Sequence, residues 1–156
     1  MKTISKNRSF NSEAQLVAKL TKKLQEEGFV VRTEVSNMGQ SADVVARRGK
    51  WVTIIEVKWR DWQRALIQCK AHELVADFIC IAIASVSVPD LFTEQARLFG
   101  YGILHYSEST KQFEWVLKPR MNREVWPPQR KYWSHSARRI AGLLNVWNSG
   151  GLKKIE

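Results

Sequence analysis

Two carboxylates and an amine lie close together in the sequence, on segments that read as neighbouring strands of a hairpin. Asp43 lies on the first run of alternating hydrophobic residues, and Glu56 and Lys58 lie on the second. A basic turn of sequence RRGK joins the two runs. With Arg48-Gly49 at the tip of a two-residue turn, Asp43 lies diagonally across from Glu56, roughly 7–8 Å away. The three ionisable side chains then share one face of the sheet.

Such a group is suited to holding a divalent cation at which a phosphodiester is hydrolysed. Mg²⁺ prefers hard oxygen ligands, keeps several waters and commonly binds one or two carboxylates and a phosphate. Lys58 could orient or help to deprotonate the attacking water, or neutralise charge that builds up on the phosphodiester. The alternative is that Asp43 caps a strand while Glu56 and Lys58 form a surface ion pair of little energetic worth. The apolar neighbours Ile54-Ile55 and Val57 make this strand too hydrophobic for a solvated edge, which favours a site.

Two further polar residues lie on the helices that flank this hairpin. A capping box, Ser12-x-x-Gln15, opens the first helix, and Glu13 falls on its apolar side, so we expect Glu13 to point inward. The alternative role of Glu13 is to stabilise the helix dipole in the first turn. Gln68 interrupts the apolar face of the second helix, and is either a hydrogen-bonded core amide or a residue that reaches the carboxylates. His72, one turn further on, is expected to be structural.

The order of elements predicts an α/β domain with a mixed central sheet flanked by helices. Hydrophobic periodicity predicts elements in the order α-β-β-β-α-β, followed by a third helix and two more strands. The apolar run of the fourth strand is typical of burial on both faces, and a right-handed crossover places it parallel to the strand of Glu56. Residues 36–39 are predicted to form a loop. The predicted helices cover 12–28, 61–76 and 89–99, and the predicted strands cover 29–35, 42–47, 50–59, 78–84, 103–106 and 112–117.

The composition is that of a folded protein. The chain has 156 residues, of which 44% are hydrophobic and 26% are charged. No apolar run is long enough to span a membrane, and the basic N-terminus lacks the apolar segment of a signal peptide, so we expect a cytoplasmic protein. Cys69 and Cys80 are expected to be small buried hydrophobic residues, and no Cys or His shows the spacing of zinc ligands.

The formal charge of +10 is unevenly distributed along the chain. Residues 1–60 contain 12 Lys and Arg against 6 Asp and Glu, residues 61–117 contain 4 against 7, and residues 118–156 contain 9 against 2. Basic ends on either side of an acidic middle predict a polyanionic partner, and DNA is the first candidate. The residues that we expect to contact nucleic acid are Lys6, Arg8, Arg47, Arg48, Lys50, Arg60, Arg123, Arg130, Lys131, Arg138 and Arg139.

The chain divides into a core domain, residues 1–117, and a C-terminal extension, residues 118–156. The core begins with a basic arm at 1–11, and the extension is basic and rich in tryptophan. One amphipathic helix is predicted in the extension, with apolar residues at helical spacing from Ile140 to Trp147. Its apolar stripe could dock on the core, pair with a second subunit or move onto a substrate.

The ordered series of Glu13, Asp43, Glu56-Val57-Lys58 and Gln68, placed on a helix, a hairpin and a second helix, resembles the PD-(D/E)XK nuclease superfamily. The resemblance covers about residues 12 to 85 and is strongest to small endonucleases of the archaeal Holliday-junction resolvase type. It implies a restriction-endonuclease-like core of order α-β-β-β-α-β. Two positions differ from the pattern. Ala42 replaces the proline of the motif name, and His72 replaces a tyrosine that some relatives have.

The resemblance also implies roles for the site residues. Asp43, Glu56, the Val57 carbonyl and Glu13 would bind Mg²⁺, with Mn²⁺ able to substitute. Lys58 would assist the nucleophilic water, and Glu13 and Gln68 would support the site.

We therefore expect a metal-dependent DNA endonuclease that hydrolyses phosphodiesters with a Mg²⁺-activated water. No helix with a base-reading signature is visible, so recognition of DNA structure or shape, such as branched DNA, is expected rather than a fixed sequence. A chain of this size that cuts both strands would act as a homodimer. The alternative is a catalytically silent subunit that keeps the nuclease fold and binds nucleic acid within a restriction, repair or mobile-element complex.

Overall fold

Six strands form one mixed sheet in which the order of strands in space follows their order in the sequence. The computed structural model describes residues 12–37 and 39–131. The helices are α1 (Glu13–Glu26), α2 (Trp62–Lys70) and α3 (Asp90–Phe99). The strands are β1 (Val30–Asn37), β2 (Gln40–Arg48), β3 (Trp51–Lys58), β4 (Phe78–Ile83), β5 (Gly102–Ser107) and β6 (Gln112–Leu117). The prediction of a mixed sheet flanked by helices is confirmed.

Strand directions follow from the connections between strands. Short turns make β1–β2, β2–β3 and β5–β6 antiparallel, whereas the crossovers through α2 and α3 make β3–β4 and β4–β5 parallel. The predicted parallel pairing of the fourth strand with the strand of Glu56 is confirmed, with Glu56 beside Ile81. None of the helices in the described ranges is long and apolar enough to cross a membrane.

The sheet is covered on both faces, which explains the almost uninterrupted burial of β3 and β4. Helix α1 presents the buried stripe Leu16, Leu20 and Leu24 to one face. Helices α2 and α3 pack on the other face through Ala65, Cys69, Phe92 and Ala96, among others. The isoleucines of β4 point toward α2 and α3, and its Cys80 and Ala82 point toward α1. Both cysteines are buried and unpaired, as expected.

The predicted helix starts are confirmed. The Ser12 hydroxyl accepts a hydrogen bond from the Gln15 backbone N–H at 3.3 Å, and Asp61 accepts one from the Arg64 N–H at 3.0 Å. The predicted end of the second helix is wrong, because α2 stops at Lys70 and not near residue 76. The chain continues in turns, with the His72 N–H bonded to the Cys69 carbonyl and the Val75 N–H bonded to the His72 carbonyl. These turns direct the His72 side chain into the core.

The β2–β3 hairpin turns one residue later than predicted. Arg48 pairs with Trp51, so the tip is Gly49-Lys50 and not Arg48-Gly49. Gly49 has a backbone φ of 59°, the left-handed conformation that glycine supplies at the first central position of a tight hairpin turn. The register is shifted by two residues from the predicted one, and an even shift keeps each side chain on its predicted face. Asp43 is therefore directly across from Glu56 and not diagonal to it.

The predicted loop at 36–39 is partly wrong, because Ser36 and Asn37 continue β1. They pair with Ser41 and Gln40, which brings the strand to the end of the sheet where the site lies.

The first part of the C-terminal extension lies on the core. The Asn122 side chain donates hydrogen bonds to the carbonyls of Glu73 and Ala76, and the Trp126 N–H donates one to the Leu74 carbonyl. Arg130 donates to the Asp77 carboxylate at 2.5 Å and to the Lys50 carbonyl at 2.6 Å. The predicted amphipathic helix at 140–147 lies outside the described residues, as does the arm at 1–11.

Arg130→Ala is expected to lower the free energy of unfolding by about 1–3 kcal/mol, because it leaves a buried charged acceptor without its donor. Asp77 is only 7% exposed, and its other oxygen is already bonded to the Val52 N–H. Urea unfolding of the full chain measures the loss. Lys131→Ala is the matched control, since Lys131 is the exposed neighbour on the chain. Equal stability of the two variants would contradict a role for Arg130 in docking the extension.

Candidate functional site

Asp43 and Glu56 meet where the β2–β3 ladder ends. The last pair in this ladder is Val44 with Ile55, and one residue further the Asp43 carboxylate accepts a hydrogen bond from the Val57 N–H at 2.8 Å. A side chain thus takes the place of the next backbone partner of β3. This contact brings the Asp43 carboxylate into hydrogen-bonding range of Glu56.

The proximity of the two carboxylates changes the ionisation of Asp43. The pKa of Asp43 is raised from 3.8 to about 6, mainly by burial and also by the neighbouring Glu56 carboxylate. The Val57 N–H and the Lys58 ammonium oppose this rise in pKa but do not cancel it. Two carboxylates so placed are relieved of their repulsion by a shared proton or by a cation.

Glu56 is completely buried and is bonded through only one of its oxygens. Its Oε1 lies 2.7 Å from His72 Nε2, and both side chains are 0% exposed. Its Oε2 is buried and has no hydrogen-bond partner in the described part of the chain. A buried acceptor without a donor costs about 1–3 kcal/mol, and more when it is charged. This oxygen therefore needs either the proton of a neutral Asp43 or a cation as its partner.

A buried polar chain continues from Glu56 through His72 to Asn37. The Asn37 amide nitrogen lies 2.8 Å from His72 Nδ1 and 3.2 Å from the Ala71 carbonyl. Sequence reasoning missed this chain, because it treated His72 as structural and Asn37 as part of a loop. The available signal was the spacing of His72, four residues after Gln68 and therefore on the same side of a helix. Nothing in the sequence pointed to Asn37.

Gln68 lies in the last turn of α2 and is partly buried. Its Oε1 is buried and, among the residues described, has no hydrogen-bond partner. The amide oxygen of Gln68 thus lacks the hydrogen bond that the core-amide interpretation expects of it. Its predicted role in supporting the carboxylates stays a prediction.

Lys58 extends from the end of β3 toward the first turn of α1. Its Nζ lies 3.8 Å from the Glu13 carboxylate, and the side chain is 10% exposed. Glu13 also accepts a hydrogen bond from the Trp59 N–H at 3.3 Å. The prediction that Glu13 points inward is wrong, since its side chain is 49% exposed. It lies at the rim of the site because it is the first residue of its helix.

A cleft of about 690 Å³ opens between α1 and the strands, and it is bordered by Glu13, Glu34, Asp43 and Val57. Glu34 is a residue of β1 and lies opposite Asp43 on the neighbouring strand β2. Its backbone φ is 53°. A left-handed conformation in the middle of a strand is costly for a residue other than glycine, and such strain is concentrated at functional sites. The cleft is therefore lined by carboxylates on three elements.

The donor set suits a hard cation with few protein ligands. No cluster of three or more His, Cys, Asp or Glu side chains suited to a metal ion occurs within 12–37 and 39–131. Of the ligands that the resemblance implies, Asp43 and Glu56 lie together and Val57 follows Glu56 on β3, whereas Glu13 faces Lys58 and the Trp59 N–H. Mg²⁺ is commonly bound by one or two carboxylates, with water and substrate phosphate completing its shell. The unpaired Oε2 of Glu56 and the raised pKa of Asp43 fit such an ion.

The basic turn, which contains three of the predicted nucleic-acid contacts, lies away from the carboxylates. Five residues separate Trp51 from Glu56 along β3, so the basic turn lies roughly 16 Å from the site at 3.3 Å per residue. In that turn Arg48 donates to the Glu27 carbonyl, and Lys50 lies over the Trp51 ring. Arg47, a further member of the turn, is half-buried on β2.

Among the remaining basic candidates, Arg60 is exposed and lies two residues beyond the end of β3. Arg123 and Lys131 are also exposed, whereas Arg130 binds Asp77. The other predicted contacts, Lys6, Arg8, Arg138 and Arg139, lie outside the described residues.

Comparison with known proteins supports the fold alone. No family model matches the sequence, and no curated protein matches it. The chain is structurally similar to the SPO1766 protein of unknown function from Silicibacter pomeroyi, with a TM-score of 0.58 and 22% identity over 90% of this chain and 97% of that one. It is also similar to AF1548, a protein of unknown function, with a TM-score of 0.54 and 18% identity over 62% of this chain and 60% of that one.

Proposed function

We propose that the protein is a Mg²⁺-dependent DNA endonuclease with a restriction-endonuclease-like core. The observation that carries this proposal is the meeting of Asp43 and Glu56 at the end of the β2–β3 ladder. One buried Glu56 oxygen is left without a partner, and Lys58 lies two residues further along the same strand. A surface ion pair between Glu56 and Lys58, the alternative interpretation, does not account for a completely buried Glu56.

Each side chain has a role in hydrolysis. Mg²⁺, for which Mn²⁺ can substitute, would supply Lewis-acid activation of water and neutralisation of the phosphate. Asp43 and Glu56 would hold the cation, and the hydrogen bond from the Val57 N–H fixes the Asp43 carboxylate. Lys58 orients the attacking water or neutralises charge that develops on the phosphodiester, and Glu13 holds its ammonium in place. Gln68 supports the carboxylates from α2.

The substrate that we propose is DNA, recognised by its structure. Among the described basic candidates, Arg60 is the nearest to Glu56 along the sequence, two residues beyond the end of β3. No base-reading helix is evident, so branched or otherwise distorted DNA is preferred over a fixed sequence. We further propose that the protein cuts both strands as a homodimer.

Incubating the protein with branched, duplex and single-stranded DNA tests the proposal. We expect cleavage of at least one substrate with Mg²⁺ or Mn²⁺, and none with a chelator. Glu56→Gln keeps the shape of the side chain and is expected to remove cleavage. No metal-dependent cleavage of any substrate, together with intact DNA binding, would instead support the catalytically silent binding subunit.

A further inference from the structure

We propose that His72 and Asn37 are positioning residues that fix which oxygen of Glu56 is available to a cation. This inference rests on the proposed function and adds two residues to the machinery of the same site. Neither residue borders the 690 Å³ cleft. Both act through Glu56, which is itself buried behind the cleft and meets it through the Asp43 carboxylate.

The hydrogen bonds of Asn37 determine which atoms donate and which accept in the series Asn37, His72 and Glu56. The Ala71 carbonyl can only accept, so the Asn37 atom 3.2 Å from it must be the amide nitrogen. The same nitrogen faces His72 Nδ1 at 2.8 Å, so Nδ1 accepts. The proton of a neutral imidazole is then on Nε2, which donates to Glu56 Oε1 at 2.7 Å.

The hydrogen bond from His72 gives the two oxygens of Glu56 different roles. Oε1 is held by His72, and Oε2 is the oxygen without a partner. Because Glu56 and His72 are 0% exposed and Asn37 is 1% exposed, bulk water cannot replace either hydrogen bond. Rotation of the carboxylate would break its bond to His72, so the protein holds Oε2 free before any ion arrives.

The hydrogen-bonded series Asn37, His72 and Glu56 also joins three separate segments of the protein around the Glu56 carboxylate. Asn37 ends β1, Glu56 lies near the end of β3, and His72 follows α2. Ala71, whose carbonyl anchors Asn37, is the C-cap of α2. Partners that orient a ligating group commonly contribute 10–100-fold to metal affinity. We therefore expect His72 and Asn37 to be required for ion binding although neither touches the ion.

Ion affinity of the purified full chain, measured by calorimetric titration with Mn²⁺, tests this inference. His72→Leu removes the donor and is expected to weaken Mn²⁺ binding about 10–100-fold. His72→Gln offers an amide donor to Glu56 and an acceptor to Asn37, so it should retain affinity within about threefold of wild type. Asn37→Ala is expected to lower affinity about tenfold, since it removes the group that sets the His72 tautomer.

The control is Leu66→Ala, which removes buried hydrocarbon from α2 but no hydrogen-bonding group of the site. It should bind Mn²⁺ like wild type at temperatures where circular dichroism shows it folded. A merely structural role for His72 predicts the same behaviour for His72→Leu, and that result would overturn the inference. If His72→Leu does not fold, Asn37→Ala decides, and wild-type affinity in this variant would overturn the inference. Absence of Mn²⁺ binding and cleavage in the wild type would instead overturn the proposed function.

Discussion

Replacing Lys58 with methionine is expected to lower the rate of DNA cleavage by about 10²–10⁴-fold while leaving DNA affinity within about threefold of wild type. Methionine fills a similar volume but carries no charge, so the water and the developing phosphate charge lose their cationic partner. Affinity changes little because Lys58 is 90% covered and its nearest acidic partner is Glu13, so it offers little surface to the DNA backbone. Single-turnover cleavage gives the rate, and binding is measured in chelator, where no DNA is cut.

Arg60→Met is the matched control for this substitution. Arg60 is an exposed cation two residues further along the chain. Its loss should weaken DNA binding and reduce the salt dependence of affinity, but leave the rate at saturating protein unchanged. Equal loss of rate and binding in the Lys58 variant would mean that Lys58 is structural. An unchanged rate would remove Lys58 from the mechanism.

Replacing Asp43 with asparagine is expected to reduce cleavage by at least about 10³-fold, since several kcal/mol of stabilisation supplied by the ion are lost and each 1.36 kcal/mol is tenfold in rate. The same change should stabilise the metal-free protein at neutral pH. The ionised Asp43 is half-buried and close to the Glu56 carboxylate, whereas asparagine is neutral and can keep the hydrogen bond from the Val57 N–H. Greater stability with lost activity is the pattern of a group retained for its function.

The pH dependence of the Asp43 effect follows from its raised pKa. Between an ordinary pKa of 3.8 and a folded-state pKa of about 6, the folded protein binds a proton that the unfolded chain does not. The contribution of Asp43 to the free energy of unfolding therefore falls as pH rises through this window. Above pH 6 the folded protein bears the full destabilisation of an ionised Asp43.

Urea unfolding of the metal-free proteins measures this difference across the pH window. The stability advantage of Asp43→Asn should be largest near neutral pH and disappear below about pH 4. Glu34→Gln, which removes another carboxylate of the same cleft, is the control for general charge loss. An Asp43 variant that is less stable than wild type at neutral pH, and whose deficit is independent of pH, would contradict a raised pKa.

Local chemistry was sufficient to predict most elements of the fold. The caps of Ser12 and Asp61 and the parallel pairing of β4 follow from residue types that act within one turn or one crossover. Alternation of hydrophobic residues also placed Asp43 and Glu56 on a common face. The shift of the hairpin by two residues left this conclusion intact, because side chains on a strand repeat with a period of two.

The geometry of the candidate site depended on contacts between distant segments. The sequence alone determined that Asp43, Glu56 and Lys58 would come together on two adjacent strands. Only the tertiary structure decided that Glu56 is bonded to His72 and that Asn37 orients His72. These partners lie 16 and 35 residues apart along the chain, and no local periodicity encodes such a separation. Burial then decides their effect, because a hydrogen bond that water cannot replace fixes the orientation of the carboxylate.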